Sequence, residues 1–152
     1  MTKLLIKRLT QDFPQFNFVA SDIAHWSASE QTIYYTDDDI QTLHELGHAL
    51  LQHDQYGQDV ELLKLERDAW DKARELDTIY HVNISDNTVE DALDSYREWL
   101  HQRSRCPRCH QTGVQNHQDL LYRCPNCKTI WAPNSAKQCQ LRRYIKKPTS
   151  RK

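Results

Sequence analysis

The chain has 152 residues, of which 38% are hydrophobic and 27% are charged, which suits one compact soluble domain with a small appendix. Its longest apolar runs are a few residues, against the roughly 20 that a membrane-spanning helix needs. Charges interrupt what would be the apolar part of a signal peptide, so we predict a cytoplasmic protein without a membrane partner. In a reducing compartment, clustered cysteines indicate metal binding rather than disulfides.

The net charge of −1 conceals two regions of opposite charge. Residues 1–100 hold 8 Lys and Arg against 20 acids, whereas residues 101–152 hold 12 Lys and Arg against a single acid. This change predicts a first domain over residues 1–102 and a second domain over residues 103–152. The basic half is a candidate for nucleic-acid contact. The alternatives are that the two halves dock on each other, or that the basic charges are merely solvated.

Three apolar stretches, at residues 4–9, 16–20 and 32–35, come before the first predicted helix. The third, Thr-Ile-Tyr-Tyr, is the best strand candidate because it is β-branched and aromatic. The acids at residues 37–39 can cap a helix start and complement the positive end of its dipole. We therefore predict a first helix that runs to about Gln52.

Two further helices are predicted after a break at residues 54–58, which contains a glycine. The second helix covers Asp59–Tyr80 and the third covers about Thr88–Arg103. The remainder, from Cys106 onward, carries two Cys-Pro-x-Cys turns and predicts short strands and loops.

The first chemical motif is His44-Glu45-Leu46-Gly47-His48, an H-E-x-x-H pattern on the first predicted helix. Residues four apart share a helix face, so both imidazoles can reach one zinc ion. Glu45 projects about 100° from His44, where its carboxylate can take a proton from water as a general base. The alternative is that the two histidines are buried in the protein core and bind no metal. Gly47 costs about 1 kcal/mol relative to alanine, which the close approach of another backbone would explain.

A catalytic zinc site needs a third protein ligand and an open fourth position. In the second predicted helix, Glu66 lies within the apolar stripe, whereas Asp71 and Glu75 fall on the polar side. An unpartnered buried carboxylate is costly, so a metal ion is a natural partner for Glu66, with a salt bridge as the alternative. The second candidate ligand is His53, although its spacing from His48 turns it away from the shared face.

The segment HELGHALLQH, followed by a helix that reads LERDAWDKA, resembles the ImmA/IrrE family of metallopeptidases. Members of that family have a gluzincin-like H-E-x-x-H helix. A second helix then supplies a glutamate in an E-x-x-A-x-x-x-A setting, which Glu66, Ala69 and Ala73 match. The resemblance extends over about residues 30–76.

This resemblance implies that His44, His48 and Glu66 bind the catalytic zinc and that Glu45 is the general base. It also implies a protein substrate, such as a repressor that controls phage, mobile-element or stress genes. The order of modules is similar, too, to that of SprT-like proteins, which join an H-E-x-x-H domain to a zinc ribbon and include DNA-associated proteases. Their third ligand is a downstream histidine, for which His53 and His81 are the candidates in this chain.

The second chemical motif consists of two C-x-x-C turns separated by 14 residues, Cys106-Pro107-Arg108-Cys109 and Cys124-Pro125-Asn126-Cys127. Four thiolates from two such turns close a tetrahedral structural zinc site. Because so small a module has almost no core, the metal must supply most of its folding energy. Redox thiols are the alternative. Cys139 is left as a free or packed thiol, and His110 is not expected to bind.

Basic residues lie around this motif, and the candidates for nucleic-acid contact are Arg108, Arg123, Lys128, Arg142 and Arg143. Three aromatic residues interleave with them: Tyr122, Trp131 and Tyr144. Basic groups beside exposed rings can follow phosphates and stack on bases. The alternative is that the rings cover the small core of the ribbon and that the charges are solvated.

Together these features predict an α+β fold, with a small zincin-like domain of a short sheet and helices that carry H-E-x-x-H, followed by a zinc ribbon. The predicted function is zinc-dependent peptide hydrolysis with one catalytic and one structural zinc ion, the ribbon recruiting substrate or nucleic acid. The donor to the oxyanion stays open among Tyr34, Tyr35, Tyr56 and His81. A non-enzymatic nucleic-acid-binding or adaptor protein with two structural metals is the alternative.

Overall fold

The computed structural model describes residues 2–134 and 141–146. Within them lie the helices α1 (Thr2–Asp12), α2 (Asp39–Leu50), α3 (Asp59–Tyr80) and α4 (Asp86–Ser104). The strands are β1 (Asn17–Ala20), β2 (His25–Ser27), β3 (Thr32–Tyr35), β4 (Val114–Gln115), β5 (Tyr122–Arg123), β6 (Ile130–Pro133) and β7 (Arg143–Lys146). The α+β prediction is confirmed, as four helices and two small sheets in this part of the chain. None of these helices combines the length and apolarity needed to cross a membrane.

The chain divides into two compact units, each built from two stretches. Unit one contains the described residues of Met1–Gln55 and Lys64–Asp91, and unit two contains Tyr56–Leu63 with the described residues of Ala92–Lys152. The sequence-based boundary between residues 102 and 103 falls inside α4, within unit two.

Unit one has a three-stranded sheet with β3 at its centre. β1 runs parallel to β3, and β2 runs antiparallel to it. The predicted strand at residues 32–35 is confirmed as β3, where Ile33 is fully buried. Because α2 packs on β2 and β3, the sheet supports the helix that carries the H-E-x-x-H motif.

The first helix begins earlier than the sequence predicted, since residues 4–9 lie in α1 rather than before any helix. Leu5 and Leu9 are four residues apart, so they share one helix face and are both buried. Lys7 and Arg8 lie on the exposed side. The prediction was wrong because α1 is short and buries only a narrow apolar face. In the sequence, its apolar residues form one short stretch without a visible helical period.

Both ends of α2 have identifiable causes. Asp38 is its N-cap, and the Asp38 carboxylate accepts hydrogen bonds from the backbone N–H groups of Ile40 and Gln41 at 3.0 and 3.1 Å. At the other end, Gln52 adopts a left-handed conformation with φ of 53°. The N–H of His53 donates to the carbonyl of His48 at 3.0 Å, which completes a Schellman turn.

The helix α3 has the predicted bounds and buries one continuous stripe. Its buried members in unit one are Glu66, Ala69, Trp70, Ala73, Leu76 and Tyr80, a carboxylate among apolar side chains. Asp71 and Glu75 are exposed, as the helical periodicity predicts. The stripe therefore places Glu66 in the core of unit one.

Gly47 on α2 lies close to the backbone of α3 at Ala69. A Cβ atom on Gly47 would stand 2.5 Å from the backbone carbonyl oxygen of Ala69. The close approach of a second backbone, which the sequence suggested as the reason for a glycine inside this helix, is thus present.

Replacement of Gly47 by alanine is expected to destabilise the protein by about 1–3 kcal/mol, the usual cost of overpacking. Helix propensity alone would make the alanine variant more stable by about 1 kcal/mol. A loss of stability would therefore indicate the close contact with the Ala69 backbone. Denaturant unfolding measures the difference. Gly57→Ala is the matched control, because its Cβ would meet only the flexible carboxylate of Glu61 at 3.3 Å. Equal unfolding midpoints for wild type and Gly47→Ala would contradict the expectation.

Unit two contains an antiparallel four-stranded sheet in the order β4-β5-β6-β7. Its core stacks Tyr122 on Trp131, with ring centroids 5.5 Å apart, beside the buried Cys106 and Cys124. The indole N–H of Trp131 donates to the carbonyl of Arg103 at 2.9 Å. Two of the three interleaved aromatic residues therefore cover the core, while Tyr144 on β7 is half exposed.

A buried polar network lies beside this core. The Asp59 carboxylate, only 3% of whose residue surface is exposed, accepts a hydrogen bond from the Tyr122 hydroxyl at 2.6 Å and from Arg103 Nε at 2.8 Å. Gln115 accepts from the backbone N–H of Asp59 at 2.6 Å. Burial, and then the hydrogen bond to Asp59, raise the pKa of Tyr122 above its usual range. Residues 56–63 are thus an integral part of unit two.

Candidate metal centres

Three side chains of unit one converge to form what we term the His–Glu group: His44, His48 and Glu66. The Nε2 atoms of the two histidines are 3.1 Å apart. One oxygen of Glu66 lies 3.0 Å from His44 Nε2, and the other lies 3.3 Å from His48 Nε2. The structure therefore brings the sequence-predicted ligands of the first site to one point.

These separations fit a metal ion. Donor atoms about 2.0–2.2 Å from a tetrahedral ion stand about 3.3–3.6 Å apart, close to the 3.0–3.3 Å observed. All three residues are at most 9% exposed, so the donor atoms lie among packed side chains rather than on the open surface. Neutral imidazoles and a carboxylate are a common donor set for divalent transition metals. The His–Glu group can thus hold a metal ion.

Electrostatics keeps Glu66 ionised in this group. Burial by itself raises the pKa of Glu66, but hydrogen bonds and charge from His44 and His48 outweigh it and hold that pKa well below its usual range. A charged carboxylate within an apolar stripe is costly unless it is partnered. The two histidines supply partners on the side where a cation can bind.

The two imidazoles are oriented by different neighbours. The His44 ring stacks on Trp70 with centroids 4.2 Å apart, and its buried Nδ1 has no hydrogen-bond partner among the described residues. His48 Nδ1 instead lies 2.9 Å from His53 Nδ1. Burial first, and then positive charge at His48, lower the pKa of His53. The sequence did not predict that Trp70 and His53 contact these imidazoles. Neither ring stacking nor a reversal of the chain follows from a regular spacing of residues.

The remaining candidates of the first site lie in several places. Glu45 is half-buried on α2, directly after His44. His53 faces the Nδ1 edge of His48, opposite the edge that meets Glu66, and His81, at the end of α3, is outside the His–Glu group. Among the oxyanion candidates, Tyr34 donates its hydroxyl to Glu30 and is solvent-facing. Of the others, Tyr35 is half-buried at the end of β3, and Tyr56 belongs to unit two.

The second group, which we term the cysteine group, lies in unit two and contains Cys106, Cys109, Cys124 and Cys127. Cys106 Sγ is 3.6 Å from Cys127 Sγ, and Cys109 Sγ is 3.4 Å from Cys124 Sγ. A disulfide would need about 2.0 Å. Four sulfurs about 2.3 Å from one tetrahedral ion stand about 3.8 Å apart, so these distances fit a metal site.

The two cysteine turns share one backbone design. In each, the residue after the second cysteine has positive φ, 67° at His110 and 66° at Lys128. The N–H of that residue donates to the carbonyl of the first cysteine, at 3.0 Å to Cys106 and 3.1 Å to Cys124. His110 thus shapes a turn and is not a member of the cysteine group. Cys139 lies outside the described residues.

Hydrogen bonds tune two thiols of this group, Cys127 and Cys109, toward the thiolate, whereas, against the hydrogen bond from the Cys127 backbone, burial and the Cys109 contact raise the pKa of Cys124. The hydroxyl of Thr129, 3.1 Å from Cys127 Sγ, and the Thr129 backbone lower the pKa of Cys127 to about 6. A hydrogen bond from Asn126 is the main cause that lowers the pKa of Cys109. Metals bind thiolates rather than thiols, so these contacts favour metal binding at neutral pH.

The basic residues proposed for nucleic-acid contact are not equally available. Arg108 and Arg142 are exposed, and exposed Lys128 donates to the carbonyl of Pro125 at 2.9 Å. Arg123 is paired with Asp119 at 2.7 Å, and the guanidinium of Arg143 donates to the carbonyl of Arg105. The partnered guanidiniums have local structural roles that the sequence did not reveal.

Comparison with protein-family models, with curated proteins and with solved structures finds no match to this chain. The assignment of function therefore depends on the His–Glu group and the cysteine group themselves.

Proposed function

We propose that this protein is a zinc-dependent peptidase whose catalytic ion is held by His44, His48 and Glu66. The observation that carries the proposal is the convergence of both Nε2 atoms and the buried carboxylate within 3.3 Å of one another, on an H-E-x-x-H helix. Glu45, the second residue of the motif, is the general base.

The number of donors supports one catalytic and one structural zinc ion. The His–Glu group offers three protein donors, which leaves the fourth tetrahedral position for water or substrate. The cysteine group offers four thiolates, which close the coordination shell of a structural zinc ion. The second group is accordingly proposed as a zinc ribbon that holds unit two together.

A zinc ion held by His44, His48 and Glu66 would supply Lewis acidity, enough to polarise a peptide carbonyl and to lower the pKa of water to about 7. The Glu45 carboxylate accepts a proton from the attacking water and returns it to the leaving amine. Glu66 offers the charge that balances the cation. Trp70 holds the His44 ring by stacking, so that Nε2 keeps its direction.

The kind of peptidase follows from the third donor. A carboxylate from a second helix is the arrangement of ImmA/IrrE-like, gluzincin-type enzymes, to which HELGH and LERDAWDKA are similar. An SprT-like protease would use a histidine, and neither His53 nor His81 joins the group. We therefore favour a zincin-like domain that cleaves a protein substrate such as a transcriptional repressor, in a cytoplasmic setting.

The ribbon is proposed to recruit substrate or nucleic acid. Exposed Arg108, Lys128 and Arg142 support nucleic acid, since phosphate contacts need accessible basic groups. Binding of the full chain to generic DNA should weaken steeply as salt rises, because each phosphate contact releases counterions. Binding that does not respond to salt, or no binding at low salt, would leave protein recruitment as the role of the ribbon.

The decisive experiment combines metal analysis with proteolysis. The purified protein should carry two zinc ions per chain, one for each group, and should hydrolyse an unfolded fluorescent protein substrate. Activity should disappear with a chelator and return with added zinc. His48→Ala should lose one ion and all activity but keep the ion of the cysteine group. A wild type with both ions and no hydrolysis of any peptide-library sequence would instead favour the adaptor alternative.

A further inference from the structure

His53, three residues beyond the end of α2, is turned back onto His48. After Leu50 the chain reverses at Gln52, whose φ of 53° a non-glycine residue rarely adopts. The Schellman hydrogen bond from the N–H of His53 to the carbonyl of His48 holds this reversal at 3.0 Å. It brings the His53 ring against the His48 ring, with centroids 5.1 Å apart.

A second contact holds His53 from the opposite side. The indole N–H of Trp26, on β2, donates to the carbonyl of His53 at 2.8 Å. Both the N–H and the carbonyl of His53 are therefore bonded within unit one. Two hydrogen bonds thus hold the backbone that carries the half-buried imidazole of His53.

The hydrogen bond between the two rings has a defined donor and a defined acceptor. His48 Nδ1 and His53 Nδ1 are 2.9 Å apart, so one of them donates a proton and the other accepts it. His48 Nε2 faces His44 and Glu66, and it must present a lone pair there to bind a metal ion. A neutral imidazole with a free Nε2 carries its proton on Nδ1, so His48 is the donor and His53 the acceptor.

We propose that His53 is a positioning residue for the metal centre, which accepts the Nδ1 proton of His48 and so fixes both the tautomer and the ring orientation of that ligand. The inference rests on zinc occupying the His–Glu group, as in the proposed function. The partner of a ligating imidazole is ordinarily a carboxylate, a backbone carbonyl or water. Here a second imidazole takes that place.

The asymmetry between the two ligands makes the role of His53 specific. His44 is oriented by its stack on Trp70, and its Nδ1 has no hydrogen-bond partner among the described residues. Of these two imidazoles, His48 is the one with a side-chain acceptor at Nδ1 in the part of the chain that the structure describes. Loss of His53 should therefore release one of the two imidazoles and leave the other in place.

A matched pair of variants tests the inference, with zinc alone as the probe. Asparagine and leucine are similar in size, but the amide oxygen introduced by His53→Asn can stand where Nδ1 was and accept the proton, whereas His53→Leu offers no acceptor. Competition with a chelating dye gives the zinc affinity of the His–Glu group, identified as the ion that His48→Ala lacks. We expect about 10–100-fold weaker binding for His53→Leu and most of the wild-type affinity for His53→Asn. His25→Ala, at an exposed histidine of β2, should match wild type.

A spectroscopic readout separates positioning from a merely structural role. In the zinc-loaded wild type, nitrogen-15 NMR should show the protonated Nδ1 of His48, protected from solvent exchange, and His53→Leu should lose that protection. Equal zinc affinity for wild type and His53→Leu would overturn the inference and leave the peptidase proposal intact. Equal weakening by the asparagine and leucine variants would also overturn it. A wild type that fills only the cysteine group would reject the proposed function, and this inference with it.

Discussion

Glu45→Gln is expected to keep both zinc ions and to lower peptide hydrolysis by about 10²–10⁴-fold, the usual contribution of a general base. Glutamine preserves the shape of the side chain, but its amide cannot accept the proton of the attacking water. Glu45 lies on the helix of His44 and His48 without belonging to the group that they form with Glu66. The measurement is the steady-state rate on a cleavable peptide, beside zinc content from elemental analysis.

Glu75→Gln is the matched control for Glu45→Gln. Glu75 is exposed on α3, where it pairs with Lys72, and a surface pair of this kind contributes little to stability. Its removal should leave rate and zinc content unchanged. Loss of zinc from Glu45→Gln would mean that Glu45 is a ligand rather than a base, and an unchanged rate would remove it from the mechanism.

Glu66→Gln is expected to empty the His–Glu group while the cysteine group keeps its ion. The amide has no charge to balance a divalent cation. One of the two oxygens that face His44 and His48 is also replaced by an NH₂ group, which donates hydrogen bonds and cannot bind a metal ion. The fall in zinc affinity should exceed the roughly 10–100-fold that the loss of an outer partner causes. Zinc per chain, measured on Glu66→Gln and on wild type, should therefore differ by one ion.

Asp71→Asn makes the same change of charge on the same helix and is the control, since Asp71 is exposed. It should bind zinc as wild type does. If Glu66→Gln kept its zinc while His53→Ala or His81→Ala lost it, the third ligand would be a histidine. The SprT-like assignment would then replace the gluzincin-like one.

Much of the geometry of the His–Glu group could be predicted because it depends on local spacing. His44 and His48 share a helix face by the helical period, and Glu66 stands out as a carboxylate in an otherwise apolar stripe. The bounds of α3 and β3 follow from equally local patterns. Residues a few positions apart in the chain determine such features, so one sequence is enough to find them.

The features that could not be predicted depend on contacts distant in sequence or on unusual backbone. Nothing in the sequence marks Gln52 for a left-handed conformation, which usually belongs to glycine, so the return of His53 to His48 had no signal. The partnership of Asp59 with Tyr122 joins positions 63 residues apart. Asp119 and Arg123 are only four residues apart, but their pairing depends on the turn between β4 and β5, where Leu120 has a φ of 60°.

The membership of Asp59 in the core network of unit two has a consequence for dissecting this protein. A fragment that begins at residue 103 would lack Asp59, and with it the acceptor for the Tyr122 hydroxyl and the counter-ion of Arg103. Each orphaned buried group costs about 1–3 kcal/mol, a large share of the stability of so small a module. Excision at the boundary that the charge pattern predicts would therefore yield a defective piece. A self-sufficient miniature ribbon would need residues 56–63 grafted back, because they belong to the same compact unit.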